Sequence, residues 1–261
     1  MAGNRKWRMI ENARLIHRKR IAKAYLLALL AILAKFGKGR IPTEKVIRGI
    51  LMKKVGRISV NAYKSAMVDS LNMIEDSYGA PLPVLQKVKK QVSMDDLDML
   101  GLPTDIMLVE TVGMVKVKTV SKNYHGLLRK VHAKAIEEGL STGQMAEAFR
   151  TVSDQLTKRS ISDARRIAQT ETTRIYSQGS LDAYSKSQVV EKKEWVTNMM
   201  GNPRHPPESN FDHLGANGEQ VAVDKPFRGT GEALMHPGDI AGSAGNVIRC
   251  HCGMMPVIGR I

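Results

Sequence analysis

Apolar and polar positions alternate in blocks that read mainly as helices. From Arg5 to Phe36 the pattern is that of one long helix, basic in its first half and almost wholly apolar in its second, closed by Gly37 and Gly39. An apolar end with no polar face must be buried, either on the rest of the chain or on another subunit. Pro42-Thr43-Glu44 opens a second, short helix carrying Val46, Ile47, Ile50 and Leu51, and a third runs from Val60 to Tyr78 before Gly79, Pro81 and Pro83 break the pattern. Residues 84–100 are helical again, with Ser93, Asp95 and Asp96 as an N-cap and acidic first turn. Gly101-Leu102-Pro103 then marks a boundary, giving a basic helical region over 1–103 and a second region over 104–261.

In the second region Ile106 to Val117 is an apolar, β-branched run that periodicity leaves open between helix and strand. Tyr124, Leu127, Leu128, Val131 and Ala135 keep the spacing of an amphipathic helix that stops at Gly139. Ser141-Thr142-Gly143-Gln144 forms a capping box for a helix burying Met145, Phe149, Val152 and Leu156, and Ser160 or Ser162 caps another that continues towards Ser180. Helices thus fill 119–188. From Val189 to Ile258 the pattern changes to short β-prone pieces between turns, with strands expected at Glu194–Thr197, Glu219–Val223 and Val247–Cys252. The fold class is α+β: mostly helical, with a small antiparallel sheet and long turns in the C-terminal third, packed on the preceding helix.

Charge changes this picture at one end only. Residues 1–60 hold 16 Lys and Arg against Glu11 and Glu44, so nearly all of the net charge of +15 lies there. Such a density attracts phosphate backbones or an acidic protein surface, and the attraction weakens with salt. Arg5, Lys6, Arg8, Arg14, Arg18, Lys19, Arg20 and Lys23 are the main charges of this expected arm, whose removal with residues 1–23 should leave the rest folded. The apolar run Ala24–Ala34 is shorter than the roughly 18 residues that a membrane span needs. Lys35, Lys38 and Arg40 follow it where a signal peptide would have a cleavage site. A membrane-surface helix fits less well, because charge and apolarity separate along the helix and not around it.

Candidate chemistry gathers between Trp195 and Cys252. Two Cys separated by one residue make no disulfide framework. With His205, His213, His236 and His251 nearby they suggest zinc, for which His213, Cys250 and Cys252 are the candidate ligands. Cys-x-Cys is tighter than the usual ligand gap, and the preferred reading is that buried thiols and hydrogen-bonded imidazoles pin the turns. Glu171 and Arg174 stand three apart on one helix, where a surface ion pair contributes little; the more useful expectation is that the face bearing Thr170, Glu171 and Arg174 holds the C-terminal turns. No Walker loop, dinucleotide fingerprint or nucleophile elbow occurs, so no small-molecule substrate is expected, and the cofactor stays open at a structural zinc that is not the favoured reading. A metal-dependent nuclease, or a toxin-like effector carried with the DNA, is the competing enzymatic reading.

The ordered series Trp195, Pro203-Arg204, His213, Gly218, Phe227, Pro237-Gly238-Asp239 and Cys250-His251-Cys252 resembles the C-terminal signature of the phage Mu F-like minor head proteins, the phage head morphogenesis family. Ala164-Arg165-Arg166-Ile167-Ala168-Gln169-Thr170-Glu171, with Arg174 one turn on, resembles the same family's helical half. Arg249 stands where the family usually has Asn. The resemblance covers roughly 105–258. It implies a structural minor capsid protein of a tailed bacteriophage, in the virion head and assembled in the host cytoplasm. It further implies contacts with portal and capsid proteins, and with packaged double-stranded DNA. In this frame Glu171, Arg174, Trp195, His213, Gly218, Phe227, Cys250 and Cys252 are structural residues.

Overall fold

The computed structural model describes residues 2–36, 43–93 and 142–259, together with residues 125, 126, 129, 130, 133, 134, 137 and 138. Its elements are α1 (Ala2–Phe36), α2 (Glu44–Tyr78), α3 (Pro83–Ser93), α4 (Thr142–Ser187), β1 (Val190–Val196), β2 (Gln220–Ala222), α5 (Ala244–Val247) and β3 (Gly253–Ile258). Helices dominate and the sheet is small, so the fold is α+β. The strands lie in the order β2-β1-β3, antiparallel throughout. Pro256, which cannot donate to a ladder, sits on the edge strand β3 opposite Lys193.

Two compact units are formed. One comprises Met1–Lys19, Asn61–Asp105 and Gln169–Ile261; the other comprises Arg20–Val60 and Ile106–Ala168. The second unit buries Ile21, Ala24, Tyr25, Ala28, Leu29 and Ile32 of α1, Ile47, Leu51 and Val55 of α2, and Ala164 and Ala168 of α4. The steps of three and four within each helix are those of an apolar face turned inward. The apolar end of α1 is therefore buried by this chain.

In the first unit α2 and α4 approach closely. A Cβ built on Gly179 would lie 2.8 Å from the Tyr63 carbonyl oxygen and 3.0 Å from the Ala66 methyl. Beside this contact the Tyr63 hydroxyl donates to Asp182 at 2.5 Å, and Ser70 Oγ meets Ser180 Oγ at 2.8 Å. Tyr184 of α4 donates to the Met254 carbonyl at 3.1 Å, which fixes the sheet against this helix. The first half of α1 belongs to the same unit: the Tyr176 hydroxyl donates to the Ala13 carbonyl at 2.9 Å, and Lys6 Nζ lies 2.7 Å from Glu194 on β1.

Several boundaries differ from the sequence reading. The two helices expected between Pro42 and Tyr78 are one, because Ile47, Leu51, Val55, Ser59, Tyr63, Ala66 and Ser70 form an unbroken buried stripe past Gly56. Ser160 and Ser162 cap nothing; they lie inside α4, where no Gly or Pro interrupts residues 144–178. The third strand begins at Gly253 and not at Val247, since Val247 ends α5 and Arg249 has φ 57°. The first half of α1 is not a free basic arm, because its side chains help to build the first unit. The run Ile106–Val117, the caps Ser93 and Ser141 as they bear on 94–100 and 141, and the boundary near 103 lie outside the described residues. No helix among the described residues is long and apolar enough to cross a membrane.

Candidate functional site

The site is built on the end of β1. Trp195 is fully buried there, edge-on to Phe227 at 5.2 Å and to His213 at 6.0 Å between ring centroids. Its backbone is fixed from both sides: Trp195 N–H donates to Glu219 O at 2.9 Å, and Gly218 N–H donates to Trp195 O at 2.8 Å. Gly218 has φ 86°, the left-handed region that glycine enters without a Cβ penalty, which explains a glycine at this tight return. Phe227 is held in turn by a bridge to Leu234.

His213, Cys250 and Cys252 meet behind Trp195. One donor atom from each lies within 4.8 Å of the other two, and all three residues are buried, at 1–3% exposure. His213 Nδ1 is 3.3 Å from Cys252 Sγ and 3.8 Å from Cys250 Sγ. The other ring nitrogen, Nε2, is 2.7 Å from Asn246 Oδ1. The Asn246 amide nitrogen donates to Glu232 at 2.9 Å and to Thr230 at 3.2 Å, and a carboxylate only accepts, so Oδ1 must face the imidazole. Nε2 therefore carries the proton, and the lone pair on Nδ1 points at the sulfurs.

The sulfurs lie in a cradle of donors. Cys252 N–H donates to Cys250 Sγ at 3.4 Å. The buried Trp195 indole N–H makes no hydrogen bond among the described residues. The hydrogen bond from the Cys252 side chain holds the Cys250 thiol well below its ordinary range. Burial and the neighbouring Cys250 push Cys252 well above it. The two thiols are thus driven in opposite directions, as expected for two acids sharing a dry site.

The Cys250–Cys252 backbone precedes β3 and has no ladder of its own, so its carbonyls take partners from two helices. Cys250 O accepts from Thr173 Oγ1 at 2.7 Å and from Gln169 Nε2 at 3.4 Å. His251 O accepts from the Trp7 indole at 2.9 Å, and Cys252 O from Arg14 Nη1 at 2.8 Å. Upstream, Arg249 N–H donates to Thr170 Oγ1 at 3.1 Å, and the Arg204 guanidinium donates to the carbonyls of Asn246 and Ile248. A buried carbonyl without a partner is costly, so these side chains decide whether the loop can be buried.

The face of α4 does hold the C-terminal turns, with Gln169, Thr170 and Thr173 doing the hydrogen bonding. Glu171 and Arg174 form an ion pair, but a buried one, with side-chain exposures of 2% and 6%. The surface value assumed from sequence is therefore corrected: removing one partner of a buried pair costs about 3–5 kcal/mol, because the other charge is left in the interior. The Pro237-Gly238-Asp239 turn rests on the same stretch, since a Cβ on Gly238 (φ 78°) would stand 3.1 Å from Arg174 N. Asp239 closes that turn by accepting from Met235 N–H at 2.7 Å.

The remaining candidates are scattered. His205 lies by Glu208, His236 reaches Gln178 at 3.0 Å, and His251 is half-buried, so none joins the cluster. Arg14, counted among the basic-arm charges, is 2% exposed and donates to Cys252 O and Ser177 Oγ; burial removes it from any surface contact. Lys6 pairs with Glu194, and Arg18 pairs with Glu11 at 2.6 Å. Arg8, Lys19, Arg20 and Lys23 are exposed, while the side chain of Arg5 lies outside the described residues. Sequence reasoning placed Arg204 in the motif but missed Trp7, Arg14, Thr173 and Asn246 as parts of the site. They lie 4 to 245 positions from the cysteines, and contacts of that kind leave no local period to read.

Residues 128–255, the segment that contains α4, most of the sheet and the buried cluster, match the family model described as Phage Mu protein F like protein. This stretch is similar to the phage Mu protein F-like family. An uncharacterized protein, YqbB, from Bacillus subtilis (strain 168) is 27% identical over 176 residues, which cover 64% of this chain and 55% of that relative. The chain thus spans little more than half of the relative's length. No solved structure matches. The family match thus covers the C-terminal part of the chain and leaves residues 1–127 outside it. In this Mu F-like domain Trp195, His213, Gly218, Phe227, Cys250 and Cys252 form one connected interior, and Glu171 and Arg174 lie in the helix beneath it.

Proposed function

We propose that this protein is a minor head protein of a tailed bacteriophage, which acts in head morphogenesis at or near the portal and catalyses no reaction. The observation that carries this reading is that the Mu F-like signature residues are spent on one another. Trp195, His213, Cys250 and Cys252 are all buried, and the metal-capable group among the described residues contains two thiols and an imidazole but no carboxylate. Mg²⁺-assisted attack on DNA calls for oxygen ligands open to substrate, so this donor set does not support the nuclease reading. The Mu F-like domain docks on portal or capsid proteins in the infected bacterium and remains in the virion head.

Packaged double-stranded DNA meets the exposed charges of α1, namely Arg8, Lys19, Arg20 and Lys23, without Arg14. Mass spectrometry and imaging of purified particles test the reading: the chain is expected in the head, at few copies per particle. Its absence from assembled particles overturns it. For the DNA interaction, changing these four basic residues to Gln is expected to reduce the slope of log affinity against log salt by about one for each phosphate that they neutralise. An unchanged slope would leave the portal as the partner of those charges.

A further inference from the structure

We propose that Cys250 Sγ, Cys252 Sγ and His213 Nδ1 bind one thiophilic divalent metal ion, zinc by class, as a structural centre of the Mu F-like domain. Three independent features of the site point to it. The donors converge to within 4.8 Å of one another, close enough for one ion to touch all three. The imidazole is pre-set for a ligand role: Asn246, itself oriented by Glu232 and Thr230, takes the Nε2 proton at 2.7 Å and leaves the Nδ1 lone pair aimed at the sulfurs. A hydrogen-bonded partner on the far ring nitrogen is the usual support of a metal-bound histidine. Finally, the Cys250 sulfur accepts from the Cys252 backbone N–H at 3.4 Å, an environment that suits a thiolate better than a thiol.

The tight Cys-x-Cys spacing is no obstacle in this backbone. Arg249 at φ 57° turns the chain immediately before the pair, and Cys250 and Cys252 then face inward on the same side while half-buried His251 faces away. The carbonyls of all three residues are held from α4 and α1, so the two sulfurs are placed before any ion arrives. Sulfur and imidazole donors select zinc over the oxygen-seeking Mg²⁺ and Ca²⁺. The Thr197 hydroxyl, 3.8 Å from Cys252 Sγ, adds an oxygen beside the three donors. On binding, any proton still on the two thiols passes to solvent, and the ion takes their place between the sulfurs.

The test uses the full chain purified without added metal or chelator. Elemental analysis is expected to give about one zinc per chain, and replacement by Co²⁺ to give the near-ultraviolet thiolate-to-cobalt band together with visible d–d bands. Because Cys252→Ser risks misfolding, Asn246→Ala is the second variant: it keeps all three ligands and is expected to weaken Zn²⁺ affinity about 10–100-fold, measured by competition with a chromophoric chelator. Metal-free folded protein that gives no thiolate-to-cobalt band on Co²⁺ addition overturns the proposal. So does a Cys250–Cys252 disulfide found by thiol counting under denaturing conditions without reductant.

Discussion

Arg249 shows how one residue can be explained by backbone alone. It is exposed, its N–H is tied to Thr170, and its φ of 57° lies in the left-handed region, which costs an ordinary side chain on the order of 1–2 kcal/mol. Asn enters that region more readily, so an Asn at this place would meet a conformational demand without any amide chemistry. Arg249→Asn is therefore expected to raise stability by about 0.5–1 kcal/mol, read as a higher denaturant midpoint at unchanged slope. A lower midpoint would mean that the Arg249 side chain makes a contact worth more than the relief of its backbone. At this scale the sequence was informative about type and silent about partners. The thiols and imidazole could be singled out as His213, Cys250 and Cys252, but nothing local to them marks Asn246 as the residue that orients the ring or Arg14 as the one that holds a carbonyl.

Helices and strands were legible where period and punctuation agree. The end of α1 at Phe36, the break after Tyr78 and the places of β1 and β2 follow from Gly and Pro positions and from alternation. Where punctuation was read without packing it misled: Ser160 and Ser162 suit a cap equally well in a loop and inside α4, and only the buried stripe of α2 shows that Gly56 does not end it. Gly179 inverts the usual expectation for a helical glycine. Ala has the better helix propensity by about 1 kcal/mol, yet a methyl here would meet the Tyr63 carbonyl oxygen at 2.8 Å, backbone that cannot swing aside. Gly179→Ala is expected to destabilise by about 1–3 kcal/mol as α2 and α4 are forced apart. Thermal unfolding checks this, and a stability gain near the propensity value would show that the two helices can separate freely.

At the scale of the whole molecule, the sequence showed a basic beginning and a turn-rich end but not that they meet. Charge density describes a segment's average, whereas Trp7, Arg14 and Ala13 act singly, through a few bonds to residues more than 160 positions away. Deleting residues 1–23 is accordingly expected to lower the unfolding midpoint and to speed the labelling of Cys250 and Cys252 by a thiol reagent in the metal-stripped protein. Equal labelling rates would return α1 to the status of a detachable arm. Trp7 and Arg14 stand two turns apart on α1, about 10 Å, and grip the carbonyls of neighbouring residues, His251 and Cys252. Two grips on adjacent carbonyls fix that stretch in both position and rotation, so neither His251 nor Cys252 can turn its peptide group without breaking a bond to α1.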